Sequence, residues 1–226
     1  MYSDKWFKIS DNVNLTIPIV KRNNVYSEIF EIVKFLNNFK SCNYFFSCGT
    51  ALGLVREGRL LDWDTDVDID IIEPTDILIN DIIIQMQSLG YSYLRILKSK
   101  KRYSQVVFIK EPYHSIDFCF WYKDNNSFIN DVPETQIFKR SHPLKIYKEF
   151  KTLNIQNVDF KIPHDTNSYF ELLYGQDWQT PKKYKNWLKN ANDLKLDVSL
   201  SRVFFKIIWK FSNIISRVKK KFTLKF

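Results

Sequence analysis

Apolar residues recur at helical spacing over residues 26–39, at Ile29, Ile32, Val33, Leu36 and Phe39, which predicts an amphipathic helix. The period then changes. Tyr44-Phe45-Phe46 is a short aromatic strand signal. Gly49-Thr50 predicts a strand-to-helix turn with Thr50 as N-cap, a helix on Ala51, Leu52, Leu54 and Val55, and a stop at Gly58. From Trp63 to Ile71 the alternation is strict. Pro74-Thr75-Asp76 starts a helix that reaches about Leu89 and is closed by Gly90. Residues 91–97, 103–109 and 115–121 read as a strand meander, and 150–155 with 158–162 as a hairpin around Asn157. Asp165 or Thr166 caps a last helix that ends before Gly175. This order predicts an α+β fold, a central mixed or antiparallel sheet flanked by helices.

The strict alternation carries the chemistry. A strand points successive side chains to opposite faces. Val67, Ile69 and Ile71 then share the apolar face, while Asp64, Asp66, Asp68 and Asp70 line the other. Same-face neighbours lie roughly 7 Å apart, and like charges held that close raise each other's pKa unless a cation lies between them. Hard oxygen donors of this kind suit Mg²⁺ or Mn²⁺. An acidic, half-exposed edge strand fits the bare pattern equally well. The upstream turn favours the metal site, because a hydroxyl and backbone N–H groups at a helix start make an anion site, and phosphate and metal sites belong together in phosphoryl transfer.

Two stretches resemble a known family. Gly49-Thr50-Ala51-Leu52-Gly53-Leu54-Val55-Arg56, followed by Asp62-Trp63-Asp64-Thr65-Asp66-Val67-Asp68-Ile69, is similar to the first signature of LicD/fukutin-related proteins. Tyr169-Phe170-Glu171-Leu172-Leu173-Tyr174-Gly175-Gln176-Asp177-Trp178-Gln179-Thr180-Pro181 is similar to the second. The resemblance spans roughly residues 25–187 and implies a nucleotidyltransferase-like core. Such a core moves a phosphorylated alcohol, phosphocholine or a polyol phosphate, from a CDP-activated donor to a hydroxyl of a surface glycan of the lipopolysaccharide, capsule or teichoic-acid kind. It implies Asp66 and Asp68 as metal carboxylates supported by Asp64, Gly49 and Thr50 as holders of donor phosphate, and Arg56 as a phosphate or loop cation. Tyr174, Gly175 and Trp178 become candidate substrate contacts, although Gly175 also reads as a C-cap and Trp178 as a core anchor. The role of Asp70 stays open. Asp117, on the same strand face as Ser115 and Cys119 in an otherwise apolar segment, is the candidate third carboxylate, as base or as ligand. Transfer of a nucleotide to a small molecule or sugar, and an inactive membrane-tethered scaffold, are the alternatives.

Composition narrows the partners. Of 34 basic residues 13 lie in 182–226, with 2 of the 25 acidic ones, so the first 181 residues hold 21 and 23 and the basic excess is C-terminal. A near-neutral body without a nucleic-acid motif argues against nucleic acid. In the tail, Arg202, Lys206, Lys210, Asn213, Arg217 and Lys220 recur at steps of three and four between Val203, Phe204, Ile207, Phe211 and Ile214. That pattern fits a helix lying in an anionic membrane surface, or packed on the body or a partner. Three regions follow: an N-terminal segment 1–24, a catalytic domain 25–190 and a basic C-terminal helix 191–226. Three cysteines without paired spacing indicate neither zinc nor disulfides. His114, His142 and His164 lack ligand spacing and read as surface or hydrogen-bonded residues. The first residues lack the apolar core of a signal peptide, and no uncharged stretch is long enough to span a bilayer. A cytoplasmic protein, peripheral on the membrane, is expected.

Overall fold

The computed structural model describes residues 7–8, 22–39, 42–98, 102–110, 114–132, 138–182 and 191–196. The chain runs β1 (Phe7–Lys8), α1 (Arg22–Asn38), β2 (Asn43–Phe46), α2 (Cys48–Glu57), β3 (Asp66–Ile72), α3 (Asp76–Ser88), β4 (Ser92–Lys98), β5 (Tyr103–Lys110), β6 (His114–Asp124), β7 (Ser127–Val132), β8 (Phe138–Pro143), a 3-10 turn (Leu144–Tyr147), β9 (Phe150–Ile155), β10 (Val158–Pro163), α4 (Thr166–Tyr174) and β11 (Leu194–Leu196). The fold is mixed α+β, a mixed sheet flanked by helices, as the alternating and helical periods imply.

Among the described residues one sheet has nine strands. Its spine is β1-β4-β5-β6-β7-β8-β11; β3 pairs with β6 and β2 with β3. The β3–β6 pair is parallel and places Asp68 directly beside Asp117. β6 is long enough to hold β3 and β5 along its first part and β7 along its last residues. The apolar faces of β3 and β6 bury Val67, Ile69, Ile71, Ile116, Phe118 and Phe120 in one core with Ile29, Ile32 and Leu36 of α1 and Ile79 and Ile82 of α3. Each such side chain contributes about 1.5–3 kcal/mol by leaving water.

The local signals act largely where the pattern puts them. Thr75 caps α3 by accepting from the Leu78 N–H at 3.1 Å, and Asp165 caps α4 by accepting from the Ser168 N–H at 3.0 Å. Gln156 and Asn157 both take left-handed φ, at 52° and 61°, which makes the tight hairpin turn between β9 and β10. Two points differ. The N-cap of α2 is Ser47, not Thr50; the helix starts at Cys48, whose φ of 45° lets the chain leave β2 and turn at once into the helix. Residues 127–132 and 138–143, with no expected element, form β7 and β8, and 194–196, assigned to the C-terminal segment, pair with β8 as β11. The expected helix over the tail lies, from residue 197 onward, outside the described residues. No described helix is long and apolar enough to cross a membrane.

Candidate functional site

Asp66, Asp68 and Asp117 converge. One carboxylate oxygen from each lies within 4.8 Å of the others. The cause is register: Asp66 and Asp68 share a face of β3, and the parallel partner β6 brings Asp117 level with Asp68. Burial raises the Asp68 carboxyl pKa well above the usual range, and Asp66, Asp117 and Asp64 push the same way. Three hard oxygen donors that disfavour each other's charge fit a divalent cation. Asp117 is buried, and its Oδ2 accepts from Gln105 Nε2 at 2.9 Å.

The turn beside this cluster is tied to β3. The Ser47 N–H donates to the Asp68 carbonyl at 3.1 Å, and the Asp68 N–H donates to Thr50 Oγ1 at 2.9 Å. Thr50 is thus a buried brace that sets the height of Asp68 rather than a cap. The glycines of the turn are explained by contact. A Cβ on Gly49 would lie 2.3 Å from Asp64 Oδ2, so only glycine lets that carboxylate reach the helix start. A Cβ on Gly53 would lie 2.7 Å from the Arg59 carbonyl and 2.9 Å from the Leu61 N, where the chain leaving α2 folds back over the helix. Negative charge is favoured at a helix N-terminus, so Asp64 is held beside the cluster without being part of β3.

Asp70 continues the acid face but belongs to a different environment. It is fully buried and accepts from Ser47 Oγ at 2.8 Å. Burial raises its pKa to about 6, against the pull of Arg140, Ser47 and Trp121. Next to it lies a polar network absent from the expected site. Arg140 Nε donates to Asp193 Oδ2 at 2.6 Å, and His142 Nε2 meets the same oxygen at 2.7 Å. The Asp193 carboxylate only accepts, so Nε2 carries the His142 proton and Nδ1 accepts from the Tyr147 hydroxyl. Burial alone would raise Asp193, but Arg140 and His142 outweigh it and hold its carboxyl well below the usual range. Arg140 Nη2 also reaches Cys48 Sγ at 3.5 Å, and the Tyr169 hydroxyl accepts from the Cys48 N–H at 3.1 Å. The helix start is thereby anchored to β8, α4 and the 193 segment. The sequence signal for this network was a basic and a histidine residue two apart before Pro143, which matters only once β8 is known to be a buried strand.

Tyr174 lies half-buried near the cluster, its hydroxyl pKa raised by burial and by Cys48 and Asp68. Gly175 caps α4 with a φ of 90°. Trp178 packs on Phe170 at 4.8 Å between ring centroids and donates to Asn167 Oδ1 at 3.1 Å, a core position. Arg56 pairs with Glu57 at 3.0 Å. His142 is the buried, hydrogen-bonded histidine just described.

Three carboxylates thus gather on paired strands beside a glycine turn. The LicD/FKTN/FKRP nucleotidyltransferase domain matches residues 41–165, and this chain belongs to that family. The match contains the glycine turn and all three acids and ends before the Tyr174 and Trp178 block. Human ribitol-5-phosphate transferase FKTN is 23% identical over 182 residues, which cover 80% of this chain and 39% of that protein. The mouse protein of the same name is 25% identical over 150 residues, covering 64% and 31%. The chain therefore spans well under half the length of these relatives. A lincomycin-bound crystal structure of the lincosamide antibiotic adenylyltransferase LnuA aligns with a TM-score of 0.43 at 17% identity, over 68% of this chain and 92% of that one.

Proposed function

We propose that this protein is a metal-dependent phosphotransferase that moves a phosphorylated alcohol from a CDP-activated donor to a hydroxyl of a surface glycan. The observation that carries the reading is the convergence of Asp66, Asp68 and Asp117 within 4.8 Å, in a chain of the LicD/FKTN/FKRP family. The name of the relatives, ribitol-5-phosphate transferase, supports transfer of a polyol phosphate; phosphocholine is the other candidate. Asp66, Asp68 and Asp117 would hold Mg²⁺ or Mn²⁺. Bound there, such an ion neutralises donor phosphate charge and polarises the phosphoryl group.

The chain's own residues do the rest. Gly49 opens the helix start to a carboxylate or a phosphate. Thr50 and Ser47 fix Asp68 through β3, so the ligand is pre-oriented. Gln105 donates a hydrogen bond to Asp117 Oδ2, which holds that carboxylate in place beside Asp66 and Asp68. We therefore assign Asp117 as a ligand. Tyr174, within electrostatic reach of Asp68, would contact the substrate. The basic, amphipathic sequence of residues 200–226 supports contact with an anionic membrane surface, where a lipid-linked acceptor would be presented.

The test is a panel of CDP-choline, CDP-ribitol and CDP-glycerol with Mg²⁺, read by release of CMP. CMP from one donor, abolished by EDTA, supports the proposal. Pyrophosphate release from a nucleoside triphosphate, with no CMP from any donor, would replace it with nucleotidyl transfer.

A further inference from the structure

We propose that Gln105 is a positioning residue for the third carboxylate of the cluster, with Arg95 fixing Gln105 for that task; this rests on reading Asp66, Asp68 and Asp117 as a cation site. Gln105 stands on β5 opposite Cys119, one alternation along from the Val107–Asp117 pair. Its Nε2 donates to Asp117 Oδ2 at 2.9 Å, and its Oε1 accepts from Arg95 Nη2 at 2.8 Å. The two ends of an amide look alike, and chemistry must decide which is which. A guanidinium only donates and an ionised carboxylate only accepts, so the oxygen faces Arg95 and the nitrogen faces Asp117. Turning the amide over would set donor against donor and acceptor against acceptor.

Register shows why an intermediary is used. Asp68, Asp117, Val107 and Arg95 form one row across β3, β6, β5 and β4. Arg95 is therefore two strands from Asp117, roughly 10 Å at about 4.8 Å per strand. Val107, between them, has no polar side-chain atom. Gln105 bridges the gap from the next row. Two effects on Asp117 follow. Its carboxylate is held in one rotamer, and its charged form gains a donor against the repulsion of Asp66 and Asp68. Both strengthen cation binding.

The experiment titrates Mn²⁺ alone into the full chain at one fixed pH, by EPR or calorimetry. Gln105→Leu, of similar volume, is expected to weaken Mn²⁺ binding about 10-fold or more. Arg95→Met leaves the amide free to turn and should give a smaller loss in the same direction; Arg95→Lys still donates to Oε1 and should restore most of it. Asp68→Asn removes the site itself. If Gln105→Leu keeps the wild-type affinity while Asp68→Asn does not bind, the relay is overturned and the cation site stands. If the wild-type protein itself fails to bind Mn²⁺, the cation reading falls and the relay with it. Should Gln105→Leu not fold, Gln105→Glu keeps the shape but loses the donor when ionised, and an unchanged Mn²⁺ affinity there overturns the relay equally.

Discussion

Asp68 and Asp70 lie two residues apart on one strand and point to the same face, yet their surroundings differ in kind. Asp68 meets Asp66 and Asp117 across a half-open cluster whose neighbours are acids. Asp70 is fully buried, takes a hydrogen bond from Ser47, and lies beside Arg140, which in turn is paired with Asp193 and packed over Trp121 at 5.2 Å. The charged groups that act most on Asp68 are acids, whereas Asp70 has Arg140 beside it. On the proposed function, the difference separates chemistry from architecture.

The largest test of that contrast is Asp68→Asn. We expect turnover to fall ~10³-fold or more, about 4 kcal/mol of transition-state stabilisation, while the thermal midpoint holds or rises because a repelling charge is gone. A fall in midpoint with normal CMP release would move Asp68 to the architectural group. Arg140→Met should do the reverse: removing one partner of a buried pair strands Asp193 and costs about 3–5 kcal/mol in urea unfolding. Adding Asp193→Asn should recover part of that loss; full additivity of the two would show that they do not act as a pair.

A smaller effect comes from pH. Burial lowers the His142 pKa from 6.5 to about 4, despite Asp193. A depressed value means that His142 favours the fold above pH 6.5 and that this contribution is lost as pH falls towards 4, on the order of 3 kcal/mol. Asp70, raised to about 6, works in the opposite sense, its contribution being lost as pH rises through that value. The difference between wild type and His142→Gln isolates the histidine: the variant's stability should fall less steeply between pH 6.5 and 4. Parallel curves would mean that His142 is not a buried neutral group. Smallest is Gly53→Ala, where the new Cβ meets backbone at 2.7 Å and 2.9 Å; about 1–3 kcal/mol of stability should be lost, with little change in KM.

How much was legible in the chain follows from the range of each interaction. The helices at 22–38, 76–88 and 166–174, the meander and the hairpin at Asn157 rest on periodicity and turn chemistry within a few residues, and they stand close to where expected. The Asp66 and Asp68 pair was legible for the same reason, since alternation alone puts them on one face. Thr50 was misread as a cap because its true partner, the Asp68 N–H, is 18 residues away. β7 and β8 were missed because Asn130, Arg140 and His142 break the apolar alternation that marks a strand. Their polar groups are buried only because Ser104, Phe120 and Asp193 receive them.

Left to itself, the sequence determined which residues alternate, where helices start and stop, and that carboxylates gather on one strand face, because each of these is a local property of a pleat or a helical turn. Only the tertiary structure decided that Asp117 stands level with Asp68, since that requires a parallel register between strands separated by α3, β4 and β5. It also decided that Asp70 lies beside Arg140 while Asp68 lies among acids. Burial and the arrival of a cation from a distant strand set the cost of a charge, and neither is written in the residues next to it.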